Sequence, residues 1–466
     1  MLSKKETESR KQIRYVCIED LVPTGHLLRK IERVVDFSFV REEVKDLYSE
    51  DKGRPSVDPV TLVKLCVINY LYGYNSMRRT IRECEVNNAH RWFIGYDLME
   101  SIPHFSTFGK NYKRRFEGTD LFERIFVRVL NKAMEAGLVD GSVVYIDGTH
   151  IKANANIHKN YKVLAEKEAK TYAKLLREEI NNDREEHGKK PFDDDGTLGH
   201  KEVTVSKSDP ESGLFHKGEH KKCFAYNAQV ACDKHGWVLA ATVHPGNKHD
   251  STVFEEIYNE VKQNTGTPDD AVLDAGYKTP YIAKTLLDDC VQPHMPYKRV
   301  TVPKGFFPKF EYVYHEHYDC HLCPFDQVLE YSTTNKDGYR EYKSKPDTCR
   351  RCPHLAKCTH SRNHTKVVMR HIWKDYLEAV EDNRHTPRGK ELYTKRKETI
   401  ERVFADGKEK HGLRFTRHNG LAKVKTQVLM TFMTMNLKKL VKMLTQNPLL
   451  LLTQSLFRRK SFASLN

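Results

Sequence analysis

Long apolar runs are missing from this chain of 466 residues. A helix that crosses a membrane needs about 18 consecutive apolar residues or more, and the longest candidate, Pro448-Leu449-Leu450-Leu451-Leu452, is far shorter. The first residues, Met1-Leu2-Ser3-Lys4-Lys5-Glu6, lack the apolar core of a secretory leader. Internal repeats and low-complexity tracts are absent too, which excludes repeat architectures and fibrous or prion-like tracts. A soluble, cytoplasmic protein is expected. Its 11 cysteines are then expected as thiols or metal ligands rather than disulfides. Acids are the scarcer charge, with 63 Asp and Glu against 78 Lys and Arg, for a net charge of +15 and a pI near 9.1. That excess points to a polyanionic partner, most simply nucleic acid, without identifying one. The length predicts two or three domains and a full core.

One stretch organises the remainder. In Val143-Val144-Tyr145-Ile146-Asp147-Gly148-Thr149-His150, apolar and β-branched residues run into an aspartate, and a glycine ends the run. This predicts a strand buried on both faces with Asp147 near its exposed end. Asp-Gly more commonly just opens a turn, but a second stretch of the same design, Ala271-Val272-Leu273-Asp274-Ala275-Gly276-Tyr277, carries Asp274. A third acid, Glu401, falls on a helix predicted over roughly 388–410. Successive acids are 127 positions apart, enough chain to fold each back on the others. Converging carboxylates repel, so they require a cation or shifted protonation. Two divalent ions about 4 Å apart, held by such acids, suit in-line attack on a phosphodiester. Hard oxygen ligands select Mg²⁺ or Mn²⁺.

Residues 1–135 read as helical, with a break at Pro23 and Gly25 and a buried helix behind Asp58-Pro59. Ser76 can cap one basic helix and Ser106 or Thr107 another. Their Arg78, Arg79, Lys113, Arg114 and Arg115 fit a DNA-binding helix-turn-helix module, and a plain helical domain with solvated basic faces fits equally. Residues 140–300 alternate strand, hairpin, helix, strand, helix and strand, which is mixed α/β. The hairpin is centred on Asp233-Lys234-His235-Gly236, and an exposed, charged, helical excursion is predicted within 155–222. Residues 388–445 contribute helices, one of them with Leu421, Val424, Val428, Phe432, Met435 and Leu440 at helical spacing. Residues 446–466 form a tail.

Taken together, Tyr145-Ile146-Asp147-Gly148-Thr149, Leu273-Asp274-Ala275-Gly276-Tyr277 and Arg396-Lys397-Glu398-Thr399-Ile400-Glu401-Arg402-Val403-Phe404 resemble the DDE transposases of bacterial insertion sequences. Gly53-Arg54-Pro55 and Pro103-His104-Phe105-Ser106-Thr107-Phe108 resemble that family's helical N-terminal segment, and the resemblance covers about 50–445. It implies an α/β fold with an RNase H-like mixed sheet, flanking helices, and an insertion between the second and third acids. Asp147, Asp274 and Glu401 are implied as catalytic acids holding two Mg²⁺ or Mn²⁺ ions. Double-stranded DNA, both element ends and target, is the implied partner of a homodimer or larger assembly at the nucleoid, with no membrane. The implied activity is cleavage at terminal inverted repeats and strand transfer. A non-catalytic DNA-binding descendant and a nuclease of the same fold are the alternatives.

The family's third acid lies in a pattern of Tyr, two residues, Arg, three residues, Glu, six residues, Lys. Anchored on Glu401, it reaches Lys408, while Lys397 takes the arginine position and Thr394 the tyrosine position; Tyr393 and Arg396 are each one residue out of register. On one continuous helix Lys397, Glu401 and Lys408 share a face that Arg396 does not. Lys397 and Lys408 are therefore expected to face DNA, and Glu401 is preferred to Glu398.

Between the second and third acids, residues 301–387 hold two C-x2-C pairs, Cys320/Cys323 and Cys349/Cys352, and a fifth thiol, Cys358. The pairs point to one structural Zn²⁺ bound by Cys320, Cys323, Cys349 and Cys352, with Cys358 as an alternative ligand. Unligated cysteines in a loop-rich insertion are the competing reading.

Overall fold

The central strand is β1 (Val143–Lys152), whose first four residues are buried. We describe it from a computed structural model covering residues 12–49, 56–166, 172–193, 200–217, 221–298 and 302–446. The Gly53-Arg54-Pro55 motif and residues 447–466 of the tail lie outside the described residues. After β1 the chain forms a separate antiparallel hairpin of β2 (Asn160–Glu166) and β3 (His200–Ser206). It returns to the main sheet as β4 (Gly213–Lys217), β5 (Lys221–Asp233), β6 (Val238–Pro245), β7 (Asp270–Leu273) and β8 (Gln292–His294).

β5 lies antiparallel to β1 on one side and to β6 and β4 on the other. β7 lies parallel to β1 on its opposite side, and β8 is parallel to β7. The result is a six-stranded mixed sheet in the order β4-β5-β1-β7-β8, with β6 also on β5. The register of β1 with β7 ends at Ile146 opposite Leu273. The next residue on each strand is an aspartate, so the parallel pairing sets Asp147 and Asp274 level with each other.

Before the sheet come α1 (Leu27–Val34), α2 (Pro59–Leu71), α3 (Met77–Val86), α4 (Asn88–Ile94), α5 (Phe105–Asn111) and α6 (Leu121–Glu135). Helix α2 begins as its sequence predicts, with the Asp58 carboxylate accepting from Val60 N–H at 2.9 Å and Pro59 in the first turn. Later helices are α7 (Ala173–Glu186), α8 (Asp250–Thr265), α9 (Pro280–Asp288), α10 (Lys374–His385), α11 (Pro387–Thr394), α12 (Ile400–Lys410) and α13 (Leu421–Gln446). Helix α13 packs against α6, α2, α1 and β6. Its Asn436 amide accepts from Val238 N–H at 3.0 Å and donates to Val238 C=O at 2.8 Å. The N-terminal helices and the main sheet consequently share one continuous apolar core.

Two readings from the sequence need correction. The charged excursion within 155–222 is only partly helical: β2 and β3 flank α7, and β4 follows. Tyr161, Val163, Val203 and Val205 alternate with polar residues and pair across the hairpin, a period-2 pattern obscured by the surrounding charge. The predicted 388–410 helix is three pieces. After α11 the backbone tightens into a 3-10 turn over Lys395–Lys397, and Thr399, at φ −105° and ψ −96°, breaks the path before α12.

Residues 302–371 form a second sheet, an antiparallel meander of β9 (Val313–His315), β10 (Cys320–Leu322), β11 (Val328–Thr334), β12 (Tyr339–Ser344) and β13 (Val367–His371). Helix α7 docks on it through the Asp183 carboxylate, which accepts from Arg340 Nε at 2.7 Å, and through His187 beside Asp319 at 2.9 Å. Among the described residues, no helix is long and apolar enough to cross a membrane.

Candidate active site

Asp147 and Asp274 meet at one arginine. Arg396 Nη2 lies 2.5 Å from Asp147 Oδ2, and Nη1 lies 3.4 Å from Asp274 Oδ1. The guanidinium is buried, its side chain only 8% exposed, while Asp274 remains half open to solvent at 50%. Tyr393 places its ring 5.7 Å from the same guanidinium.

Helix α11 explains how the arginine arrives there. Arg388, at its start, pairs with Asp270 at the beginning of β7, and Arg396, just past its end, reaches Asp274 beyond the end of β7. Eight residues of helix rise about 12 Å, and four residues of strand rise about 13 Å. The helix and strand therefore run alongside each other with an arginine at each end. The 3-10 turn and the break at Thr399 then absorb the extra residue in the sequence pattern. The spacing Tyr393–x2–Arg396 is kept, the gap to Glu401 grows from three residues to four, and the arginine still turns inward. The expectation that Lys397 substitutes for it is thus overturned: Lys397 is exposed, because a broken helix does not carry one face across the break.

Asp147 is mostly buried, with 18% side-chain exposure. Burial drives its pKa up to about 6, against the pull of Arg396 and the Gly148 N–H, and the nearby Asp274 and Asp250 carboxylates add to the rise. This carboxylate is short of positive charge even with a guanidinium beside it.

Asp250, in the first turn of α8, is a site residue that the sequence reading missed. Its Oδ1 accepts from Asn227 Nδ2 and Gln229 Nε2, both at 2.8 Å, and Gln229 Oε1 accepts from the buried Tyr277 hydroxyl. The glycines after the two motif aspartates make room for it. A Cβ on Gly148 would stand 2.7 Å from both Asp250 Oδ1 and Gln229 Nε2, and one on Gly276 would stand 3.2 Å from Asp250 Oδ2. Those paired glycines were the available signal. Gly148→Ala is expected to cost about 2 kcal/mol through overpacking and to lower the melting temperature. An unchanged melting curve would show that Asp250 and Gln229 yield freely.

Glu401 lies in the first turn of α12 and is exposed, as is Glu398 just before the break. Helix α12 packs on β1 and β5 through Ile400, Val403 and Phe404, and Glu401 borders that apolar strip on the side shared with the half-buried Lys408. Among the described residues, no three His, Cys, Asp or Glu side chains stand grouped to hold a metal. Two aspartates meet at Arg396, with Asp250 behind them.

Family comparison now bears on both ends of the chain. A family model described as "Transposase DDE domain" matches residues 322–441, and one described as "Transposase domain (DUF772)" matches residues 16–114. The chain belongs to the DDE transposases of insertion elements. No curated protein and no solved structure matches it. The DDE-domain match contains Arg396 and Glu401, whereas Asp147 and Asp274 lie between the two matched stretches, so the sheet register is what brings them to the same place.

The transposase's other predicted site residues are dispersed. Arg78 and Arg79 are exposed on α3, Arg78 over the Phe105 ring at 4.3 Å and Arg79 paired with Glu83 at 3.6 Å. Lys113 and Arg114 are exposed just after α5. Arg115 folds inward over Tyr48 at 4.1 Å. Lys113 also lines a cavity of about 360 Å³ with Arg417, His418 and Lys423, between the N-terminal helices and the start of α13.

Proposed function

We propose that this transposase cleaves DNA at its element's terminal inverted repeats and joins the ends to target DNA, with Asp147, Asp274 and Glu401 as its catalytic acids. The observation that carries this reading is the convergence of Asp147 and Asp274 on Arg396 at the ends of two adjacent parallel strands. A mixed sheet in which β1, β4, β5 and β6 pair antiparallel while β7 and β8 add in parallel supports an RNase H-like core in two parts, 140–300 and 388–445, separated by 301–387.

The donor set fits hard divalent ions. Asp147 and Asp274 offer carboxylate oxygens at one point, and a cation there would offset the burial that, more than the nearby carboxylates, pushes the pKa of Asp147 up. Asp147 and Asp274 would hold Mg²⁺ or Mn²⁺, with Glu401 completing the set. Two such ions, when bound, supply activation of the attacking oxygen and stabilisation of the leaving one. Arg396 presents a planar fork suited to phosphate oxygens. Tyr277, Gln229, Asn227 and Asp250 brace the floor from behind.

The pH dependence has a definite sign. The folded protein holds a proton on Asp147 more tightly than the unfolded chain does, since its pKa rises from 3.8 to about 6. Its stabilising contribution is therefore complete below about pH 4 and lost as pH rises through 6. A divalent ion competes with that proton. Mg²⁺ is thus expected to raise the melting temperature at pH 7.5 and to have little effect at pH 5. Equal stabilisation at both pH values, or an undiminished effect in Asp147→Asn, would contradict the assignment.

Residues 1–135 are assigned to recognition of double-stranded element ends through Arg78, Arg79, Lys113, Arg114 and Arg115, with Lys397 and Lys408 meeting DNA nearer the acids. Phosphate contacts of this kind weaken steeply with salt. A homodimer or larger assembly would hold two ends together. The deciding experiment is a strand-transfer assay with the element's own ends, Mg²⁺ and the full chain. Cleavage followed by joining supports the reading; cleavage without joining points to a nuclease, and binding without cleavage to a non-catalytic descendant.

A further inference from the structure

The second sheet is too small to hold itself together by apolar burial. Its core comprises four buried residues, Tyr312, Leu329, Tyr342 and Val368, for a segment of roughly 70 residues, and small units with so little core usually need a disulfide or a metal. The 11 cysteines of the chain are all free thiols. Four of them, Cys323, Cys349, Cys352 and Cys358, line one cavity of about 40 Å³ beside that core.

Cys320 is not among them. The sequence pairs it with Cys323 as a C-x2-C knuckle, but Cys320 opens strand β10 whereas Cys323 lies past its end, in the turn to β11. Cys320 accordingly lines a different cavity with His187, Leu322 and Glu330. The tetrad is instead completed by Cys358, which ends the short helix Leu355–Cys358.

We propose that Cys323, Cys349, Cys352 and Cys358 form a structural zinc site that clamps the β10–β11 turn to the two short helices after β12. Each element has the form such a site needs. The turn at Cys323 is closed by Cys323 N–H to Gln327 C=O and Asp326 N–H to Cys323 C=O, both 2.9 Å. Within it, the Phe325 N–H points at Cys323 Sγ at 3.4 Å, the donor a thiolate requires. Cys352 N–H donates to Cys349 C=O at 3.0 Å, which holds the second pair in a tight turn.

Zinc would have to draw the four sulfurs together, since no three of them stand grouped to hold a metal in this structure, and the thiols of Cys349 and Cys358 each lie against a hydroxyl. Cys349 Sγ donates to Ser344 Oγ at 3.1 Å, and Cys358 Sγ lies 3.0 Å from the Tyr312 hydroxyl. Ser344 Oγ already accepts from Lys366 N–H at 2.9 Å, so its own proton is free for a thiolate once Cys349 ionises. Zinc binding would release the thiol protons to solvent and turn these hydroxyls into donors to sulfur. The surrounding Phe307, Phe325 and Leu329 keep the site dry. Soft thiolates in a tetrahedral set select zinc over Mg²⁺ or Mn²⁺, so this site is chemically separate from the carboxylate pair.

The test is metal content of the full chain purified without chelator and reconstituted with Zn²⁺ alone. About one zinc per chain is expected, unchanged in Cys320→Ser and lost in Cys358→Ser. Co²⁺ replacement provides a reading independent of stability: the wild-type chain and Cys320→Ser should show the intense thiolate-to-cobalt absorption of a four-sulfur tetrahedral site, and Cys358→Ser should show it weakened. Absence of stoichiometric zinc from the reconstituted wild-type chain would overturn the proposal. So would loss of zinc in Cys320→Ser with retention in Cys358→Ser.

Discussion

Glu401→Gln is expected to abolish metal-dependent strand cleavage while leaving the fold and end-specific DNA binding in place. Glutamine keeps the volume and one oxygen but removes the charge that a hard divalent ion requires. Because Glu401 is exposed in the first turn of α12, its loss leaves no buried group unpaired, and a melting temperature near wild type is expected. The comparison is Glu398→Gln. Glu398 sits between the 3-10 turn and the break at Thr399, so it does not share the face that α12 presents beside β1, and most activity should survive. A fall of about a hundredfold or more in cleavage is expected for the first change, against a severalfold effect at most for the second. The reverse pattern would move the third acid to the other side of the break.

Arg396→Ala is expected to cost both stability and activity. The guanidinium is buried between two carboxylates. Removing one partner of a buried ion pair costs about 3–5 kcal/mol, because the remaining charge is left uncompensated. Two carboxylates left facing each other add repulsion, so the loss should be partly recovered by Mg²⁺ or by lowering the pH, and Asp147, without the pull of Arg396, takes up its proton above its wild-type pKa of about 6. Arg396→Lys should recover part of the stability and less of the activity, since an ammonium restores charge without the planar fork. Urea denaturation and cleavage rates on the same variants measure the two effects. A stability loss under about 1 kcal/mol for Arg396→Ala would show that the guanidinium is not the principal counter-charge of the pair.

The sequence by itself determined the elements whose chemistry is local. An apolar run ending in Asp-Gly is legible as a buried strand because both faces must be covered, and both motif strands, the hairpin around Asp233–Gly236, and the helices at 250–265, 280–288 and 421–446 follow from periodicity and turn residues alone. The tertiary structure decided what depends on register and on breaks. Parallel pairing of β1 with β7 makes Asp147 and Asp274 neighbours, a fact about residues 127 positions apart that no local pattern contains. A backbone break at Thr399 returned Arg396 to the site after the helical wheel had turned it away, because a wheel assumes an unbroken helix. Asp250 entered through packing against Gly148 and Gly276, and Cys320, in strand β10, lines a different cavity from Cys323, Cys349 and Cys352. In each case spacing along the chain becomes direction in space only after the conformation between the residues is known, and that conformation is chosen by the core it has to cover.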